Sequence, residues 1–144
     1  MSSIGRGLVL FVAAALGDGS ADLEYLAQKT AHLRLFPGDD DRFARSLLEV
    51  GGTALVVSQF TLYAQTRKGR RPSFTEAAPP DVAEPLIAAF CERLEALGLR
   101  VGKGRFGAYM EVELCNDGPV TVLLDSADRQ RSRRGQEPRA KDSG

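Results

Sequence analysis

Ala54-Leu55-Val56-Val57-Ser58-Gln59-Phe60-Thr61-Leu62-Tyr63-Ala64 is the stretch that decides how this chain folds. Its first four residues are apolar without alternation, the pattern of a strand covered on both faces. Gly51-Gly52 opens the run, so a strand is expected over Thr53–Leu62. Ser58, Gln59 and Thr61 then leave the core side by side, which puts two hydroxyls and an amide at a strand end.

Upstream, residues 7–16 read as another buried strand, closed by the turn Gly17-Asp18-Gly19. Ser20 suits an N-cap, Asp22 and Glu24 suit the positive end of a helix dipole, and Leu23, Leu26, Ala27, Thr30 and Leu33 recur at helical spacing. A helix over 21–34 is therefore expected, with His32 off its inward stripe. Downstream, Asp81 and Glu84 resemble a capping box, with Pro85 in the first turn, and Val82, Leu86, Phe90, Leu94 and Leu97 form the inward stripe of a helix over 82–97, ended by Gly98. Ala108–Cys115 alternates as a half-exposed strand, and 120–124 reads as a further strand beyond Asn116-Asp117-Gly118-Pro119. Strands and helices intermixed in this way give a mixed α/β architecture.

The length of 144 residues suits one domain, taken as 1–126. Residues 127–144 carry six basic against three acidic side chains without periodicity, the composition of a disordered basic tail. The rest of the chain is acidic by 16 to 13, so a nucleic-acid contact has to be local. Leu8–Leu16 is about half the roughly 20 residues of a bilayer span and is not followed by a cleavage site, so a cytoplasmic protein without membrane contact is expected. Cys91 and Cys115 read as small buried hydrophobes of a reducing compartment. His32 is the only histidine, which excludes a zinc cluster and a histidine-based triad, and Pro37-Gly38-Asp39-Asp40-Asp41 lacks the ligand alternation of a calcium loop.

The remaining chemistry rests on hydroxyls (Ser58, Thr61, Thr121), amides (Gln59, Asn116), backbone groups and guanidinium charge. No base stands beside Thr61 in sequence to activate it as a nucleophile. An enzyme with this equipment needs a bond that is already reactive, such as an activated ester with a neighbouring hydroxyl, and N–H donors aimed at its oxyanion. Arg67, Lys68, Arg70 and Arg71, interleaved with Gly69 and ended by Pro72-Ser73-Phe74, make a cationic lip suited to phosphates, and Phe60 and Phe74 offer faces on which a base can stack. Gly118-Pro119 is a corner that can aim carbonyls where ordinary chain cannot, since X-Pro is the peptide bond for which cis costs only about 0.5–1 kcal/mol.

In order and spacing, Ser58-Gln59-Phe60-Thr61-Leu62, Arg67-Lys68-Gly69-Arg70-Arg71-Pro72-Ser73-Phe74 and Asn116-Asp117-Gly118-Pro119-Val120-Thr121 closely resemble the signature segments of the D-aminoacyl-tRNA deacylases. Gly51-Gly52 and Gly104-Arg105-Phe106-Gly107 fit as well, and the similarity runs from about Gly5 to Ser126. The resemblance implies a homodimer built on a mixed, barrel-like sheet with two main helices, and no metal or organic cofactor. It implies a hydrolase that frees the D-amino acid from D-aminoacyl-tRNA, and glycine from mischarged alanine tRNA, as chiral proofreading in translation.

The same resemblance places Ser58, Gln59, Phe60 and Thr61 in the catalytic turn, with the backbone N–H groups of Gln59–Thr61 holding the oxyanion and Thr61 positioning rather than attacking. Phe60 would hold the terminal adenine of the tRNA, whose 2′-hydroxyl assists, and Arg67, Lys68, Arg70, Arg71, Phe74 and Asn116 would bind the tRNA. Gly118-Pro119, cis in that family, would enter the partner subunit's site, its carbonyls leaving no room for an L side chain. Family members begin further upstream with a basic strand, whereas this sequence enters the pattern at Gly5-Arg6-Gly7, so either its start is misassigned or truncated or the sheet lacks that strand. Two other readings stay open at this level: a family member that binds the tRNA 3′ end or a nucleotide without turnover, and a hydrolase of simple esters.

Overall fold

The structure is a computed structural model that describes residues 1–40 and 43–130. Asp41 of the acidic run and all but the first residues of the basic tail lie outside the described residues. Elements follow in the order β1 (Gly7–Val12), α1 (Ser20–His32), β2 (Arg34–Pro37), β3 (Phe43–Ser46), α2 (Leu47–Val50), β4 (Thr53–Ser58), α3 (Pro80–Ala96) and β5 (Arg100–Lys103). Two 3-10 turns, Phe60–Tyr63 and Ser126–Gln130, complete them.

β4 is the centre of a three-stranded parallel sheet in the order β1-β4-β5, with Gly7 opposite Thr53, Val12 opposite Ser58, and Thr53 opposite Arg100. Each parallel step is bridged by helix, α1 and α2 between β1 and β4 and α3 between β4 and β5, as a parallel connection requires. β2 and β3 form a separate antiparallel pair. The sheets are open, so the barrel-like closure implied by the resemblance is not what these residues form.

The two long helices cover one face of the parallel sheet. α1 buries Ala27, Thr30 and Ala31, and α3 buries Ala83, Ile87, Phe90, Cys91 and Leu94. These meet Ala54 and Val56 of β4 and the alternate residues Leu8, Leu10 and Val12 of β1 in one core. Glycine lets the two strands meet at their entry: a Cβ on Gly7 would stand 1.8 Å from the carbonyl oxygen of Thr53, its partner on β4, so the entry of β1 tolerates only glycine. Leu94 is fully buried at the centre of this core. Leu94→Ala is expected to cost about 2–5 kcal/mol, read as a fall in the midpoint of chemical unfolding with an unchanged slope.

Several elements depart from the sequence reading for identifiable reasons. The N-cap of α1 is Gly19 rather than Ser20, because the Asp22 carboxylate reaches back to accept the Gly19 N–H at 2.8 Å. α3 starts at Pro80, with Pro79 as cap and no side-chain capping bond, so Asp81 and Glu84 make no capping box and Pro85 falls in the second turn. Val82 consequently faces solvent and Ala83 takes the inward place. Ser46 and Glu49 do form a reciprocal capping box, at 3.2 and 2.9 Å, which starts α2 inside a stretch that reads as irregular.

β1 stops at Val12 and β4 at Ser58, short of Leu16 and Leu62, because Ala14 and Ala15 pair instead with Ala78 and Ala77 and because the Phe60–Tyr63 turn begins after Gln59. The alternating segment 108–115 and the apolar segment 120–124 are not strands. A strand needs a ladder partner, and among the described residues none pairs with either segment. Tyr109, Val112, Leu114, Val122 and Leu123 are therefore exposed, and Cys115, read as buried, is an exposed free thiol whereas Cys91 is buried. No helix among the described residues is long and apolar enough to cross a membrane.

Candidate active site

The candidate site stands at the carboxyl ends of the parallel strands, where open α/β sheets place their ligands. After Ser58 the ladder is continued by one bond, from the Gln59 N–H to the Val12 carbonyl at 2.8 Å. The chain then winds into the Phe60–Tyr63 turn, closed by the Leu62 N–H on the Gln59 carbonyl at 3.1 Å. A 3-10 turn leaves its leading amides without internal partners, and here these are the N–H groups of Phe60 and Thr61. The Gln59 N–H is committed to Val12, so the expected oxyanion donors narrow from three residues to Phe60 and Thr61. The Gln59 side-chain amide donates to the Thr61 hydroxyl at 2.5 Å, which holds that hydroxyl as an acceptor and supplies no base to it.

Phe60 is exposed, and its ring meets that of Phe74 edge to face at a centroid distance of 5.1 Å. Phe74 sits at the base of the basic loop. Backbone bonds in both directions between Gln65 and Ser73, at 2.7 and 3.0 Å, close that loop, and the Gln65 side-chain amide donates to the Glu76 carboxylate at 2.8 Å. Gly69 turns its tip with φ +66°. Arg67, Lys68, Arg70 and Arg71 are all exposed, and among the described residues none of them pairs with a carboxylate. The closure was not legible from sequence, because Gln65, Ser73 and Glu76 form no local pattern.

The second motif is held by its own asparagine. The Asn116 carbonyl oxygen accepts the Val120 N–H at 2.8 Å and its amide donates to the Thr121 hydroxyl at 2.9 Å, clamping the ends of the Gly118-Pro119 corner. The Gly118–Pro119 peptide is cis and Gly118 has φ +150°. Asn116 thus has a structural partner on each side of its amide. Among the described residues no hydrogen bond, ion pair or ring contact joins this corner to Ser58, Gln59, Phe60 or Thr61 of the same chain. The structure brings Gln59 to Thr61 and Phe60 to Phe74, and leaves Gly118 and Pro119 on a separate exposed segment.

This site falls in a known family. A protein-family model described as D-Tyr-tRNA(Tyr) deacylase matches residues 1–125. The chain belongs to the D-Tyr-tRNA(Tyr) deacylase family. A relative from Roseiflexus castenholzii named D-aminoacyl-tRNA deacylase is 59% identical over 127 residues, which is 88% of this chain and 81% of that protein. Another so named, from Thermomicrobium roseum, is 60% identical over 128 residues, 89% of this chain and 83% of its own. Among solved structures, the c-Myc DNA Unwinding Element Binding Protein superposes with a TM-score of 0.79 at 36% identity, covering 85% of this chain and 83% of that one. A structure described as a probable eukaryotic D-amino acid tRNA deacylase, with a TM-score of 0.64 at 20% identity over 74% of this chain and 77% of its own, shares the fold.

Beside the family motifs stands a charged cluster that the sequence reading missed. Burial raises the Asp18 carboxyl above 3.8, against the Ala15 N–H that it accepts at 2.8 Å. The Gly19 N–H holds Asp22 below 3.8, with smaller help from the Ser126 hydroxyl and Arg129. Tyr63, the last residue of the Phe60–Tyr63 turn, is pushed above 10.0 by burial and then by the carboxylates of Asp18, Asp125, Asp22 and Glu76. The signs are opposite. The depressed Asp22 stabilises the fold in full above 3.8 and loses that contribution as the pH falls through its lower folded value, whereas ionised Asp18 opposes folding at neutral pH and is relieved on protonation. Asp22→Asn is expected to lower Tm at pH 7 by a margin that closes below pH 3.8, while Asp18→Asn, which keeps an acceptor for Ala15, leaves Tm at pH 7 unchanged or higher. Thermal melts across pH check both.

Proposed function

We propose that this chain hydrolyses the ester bond of D-aminoacyl-tRNA, freeing the D-amino acid and the tRNA as chiral proofreading in translation. The observation that carries this reading is the Ser58–Tyr63 turn at the carboxyl end of the parallel strands, with Phe60 against Phe74 at the root of an open cationic loop. The Phe60 face takes the terminal adenine and the loop takes backbone phosphates, so the ester comes to lie over the leading amides of the turn. Those two N–H groups meet the oxyanion, a contribution of about 3–4 kcal/mol each where such donors have been removed by mutation.

Thr61 positions the substrate. Its hydroxyl is held by Gln59 and has no base, so the ribose 2′-hydroxyl beside the ester is the group that assists water. Thr61→Val is expected to keep turnover within about tenfold of the parent, whereas loss of a true nucleophile costs several orders of magnitude in kcat. Single-turnover rates on charged tRNA separate the two.

The functional unit is a homodimer in which Gly118-Pro119 of one protomer enters the site of its partner. Support comes from the lack, among the described residues, of any hydrogen bond, ion pair or ring contact between corner and turn, and from the apolar side chains exposed around the corner, which a second copy would cover. Chirality is then read by clash: carbonyls on a stiff corner exclude an L side chain, and a preference of about 10³ needs only about 4 kcal/mol. The decisive experiment is release of D-tyrosine and L-tyrosine from charged tRNA. Selective loss of the D ester upholds the reading; equal loss of both, or of neither, overturns it.

A further inference from the structure

The segment that carries Gly118-Pro119 runs from Gly107 to Asp125 with no ladder partner among the described residues, and its residues 111–119 are all exposed. Its N-terminal end is fixed where the Gly104 N–H donates to the Val56 carbonyl at 3.0 Å and the Met110 sulfur packs over Gly104. Its C-terminal end is fixed by other means. The Ser126–Gln130 turn begins directly after Asp125 and packs against α1. Ser126 is the buried residue of that turn, and its hydroxyl meets the Asp22 carboxylate. Arg129 reaches the same carboxylate, Nε to Oδ1 at 3.5 Å.

Asp22 is therefore shared. One carboxylate oxygen accepts the Gly19 N–H and caps α1, while Ser126 and Arg129 of the C-terminal turn engage the same side chain. The turn itself is started by the Asp125 carboxylate, which accepts the Ala127 N–H at 2.9 Å, and by the Asp128 N–H on the Asp125 carbonyl at 3.0 Å. The 14–18 region that precedes α1 is tied in turn to the far end of the basic loop, through the Leu16 N–H on the Glu76 carbonyl at 3.0 Å and the Ala78 N–H on the Ala14 carbonyl at 2.9 Å. One junction thus stands between the start of α1, the root of the basic loop and the end of the corner segment.

We propose that the contact of Ser126 and Arg129 with Asp22 is a latch that fixes the C-terminal end of the corner segment and so sets where Gly118-Pro119 stands for catalysis. Ser126, Arg129 and Asp22 are positioning residues, acting through the corner and not on the substrate. The catalytic half of the proposal rests on the function proposed above; the structural half does not. An exposed ion pair alone holds little, so Ser126 and Arg129 are removed together to release the turn.

The test uses the full chain, with a spin label on Cys115, which is exposed while Cys91 is buried, and a second on an introduced cysteine at the exposed Glu92 of α3. Labelled protein is diluted into unlabelled so that distances within one chain are read. In the Ser126→Ala/Arg129→Gln variant the 115–92 distance distribution is expected to broaden roughly twofold, with the far-ultraviolet spectrum unchanged. The kcat on D-tyrosyl-tRNA falls about tenfold and the D-to-L ratio narrows, while KM stays within about twofold because the basic loop is untouched. Ser126 with Arg129→Lys retains the parent distribution. An unchanged distribution in the double variant overturns the latch, and a broadened one with kcat and D-to-L ratio intact overturns its catalytic role. If the parent chain shows no D-selective turnover, the proposed function has failed, and the distance distribution alone decides whether the latch holds the segment.

Discussion

Gly118→Ala is expected to reduce D-ester hydrolysis and to narrow the ratio of D to L turnover by at least about 100-fold, equivalent to about 2.7 kcal/mol. The residue has φ +150°, a conformation that L side chains rarely adopt. A Cβ there would stand 2.9 Å from Val120 Cγ2 and 3.1 Å from the Val120 nitrogen. That nitrogen is the one clamped by Asn116, so the corner cannot yield without giving up the bond that holds it. The corner moves, and the carbonyls proposed to exclude an L side chain move with it. Initial rates on D-tyrosyl-tRNA and L-tyrosyl-tRNA give the ratio directly. A parent-like ratio in a folded variant would remove the corner from chiral selection.

Neutralising the basic loop is expected to act on binding alone. With Arg67, Lys68, Arg70 and Arg71 all changed to Gln, KM for charged tRNA at low salt should rise about 10²–10³-fold, with kcat within about threefold. The salt dependence is the sharper readout. Each phosphate contact contributes about 0.7 to the slope of log affinity against log salt for single strands, so four lost contacts flatten the slope by up to about 3. Parent and variant should converge as salt is raised. The loop is closed at its base by Gln65 and Ser73, away from the four cations, so the substitutions leave its shape intact. A uniform fall in kcat with an unchanged slope would place the loop in folding or catalysis instead of tRNA binding.

Both effects were legible in the sequence as residues and not as geometry. Gly118, Pro119 and the four cations stand out by type and spacing, whereas the Asn116 clamp and the Gln65–Ser73 closure need the chain folded back on itself. The core behaves likewise. Ala27, Thr30, Phe90 and Leu94 lie on helical stripes and are buried as read, but Val82 yields its place to Ala83 because the helix begins at proline. Local capping is ambiguous even where its signal is short: Ser46-Leu47-Leu48-Glu49 is a capping box inside a stretch that reads as irregular, while Asp81 with Glu84 resembles one and is not.

Which segments are apolar, where the chain turns and which residues carry chemistry can be read from the residues alone, because these follow from side-chain type and from periods of 2 and 3.6 residues. The family is legible in the same way, through three motifs, and the family model matches over residues 1–125. Which periodic segments become strands depends on packing, since Ala108–Cys115 alternates as cleanly as any strand and finds no partner among the described residues. Packing also sets the bond of the Gln59 N–H to Val12 and the meeting of Asp22 with Ser126 and Arg129 across more than a hundred residues. A hydrogen bond has one donor and one acceptor, and which distant pair shares it is a property of the packed chain, not of either neighbourhood.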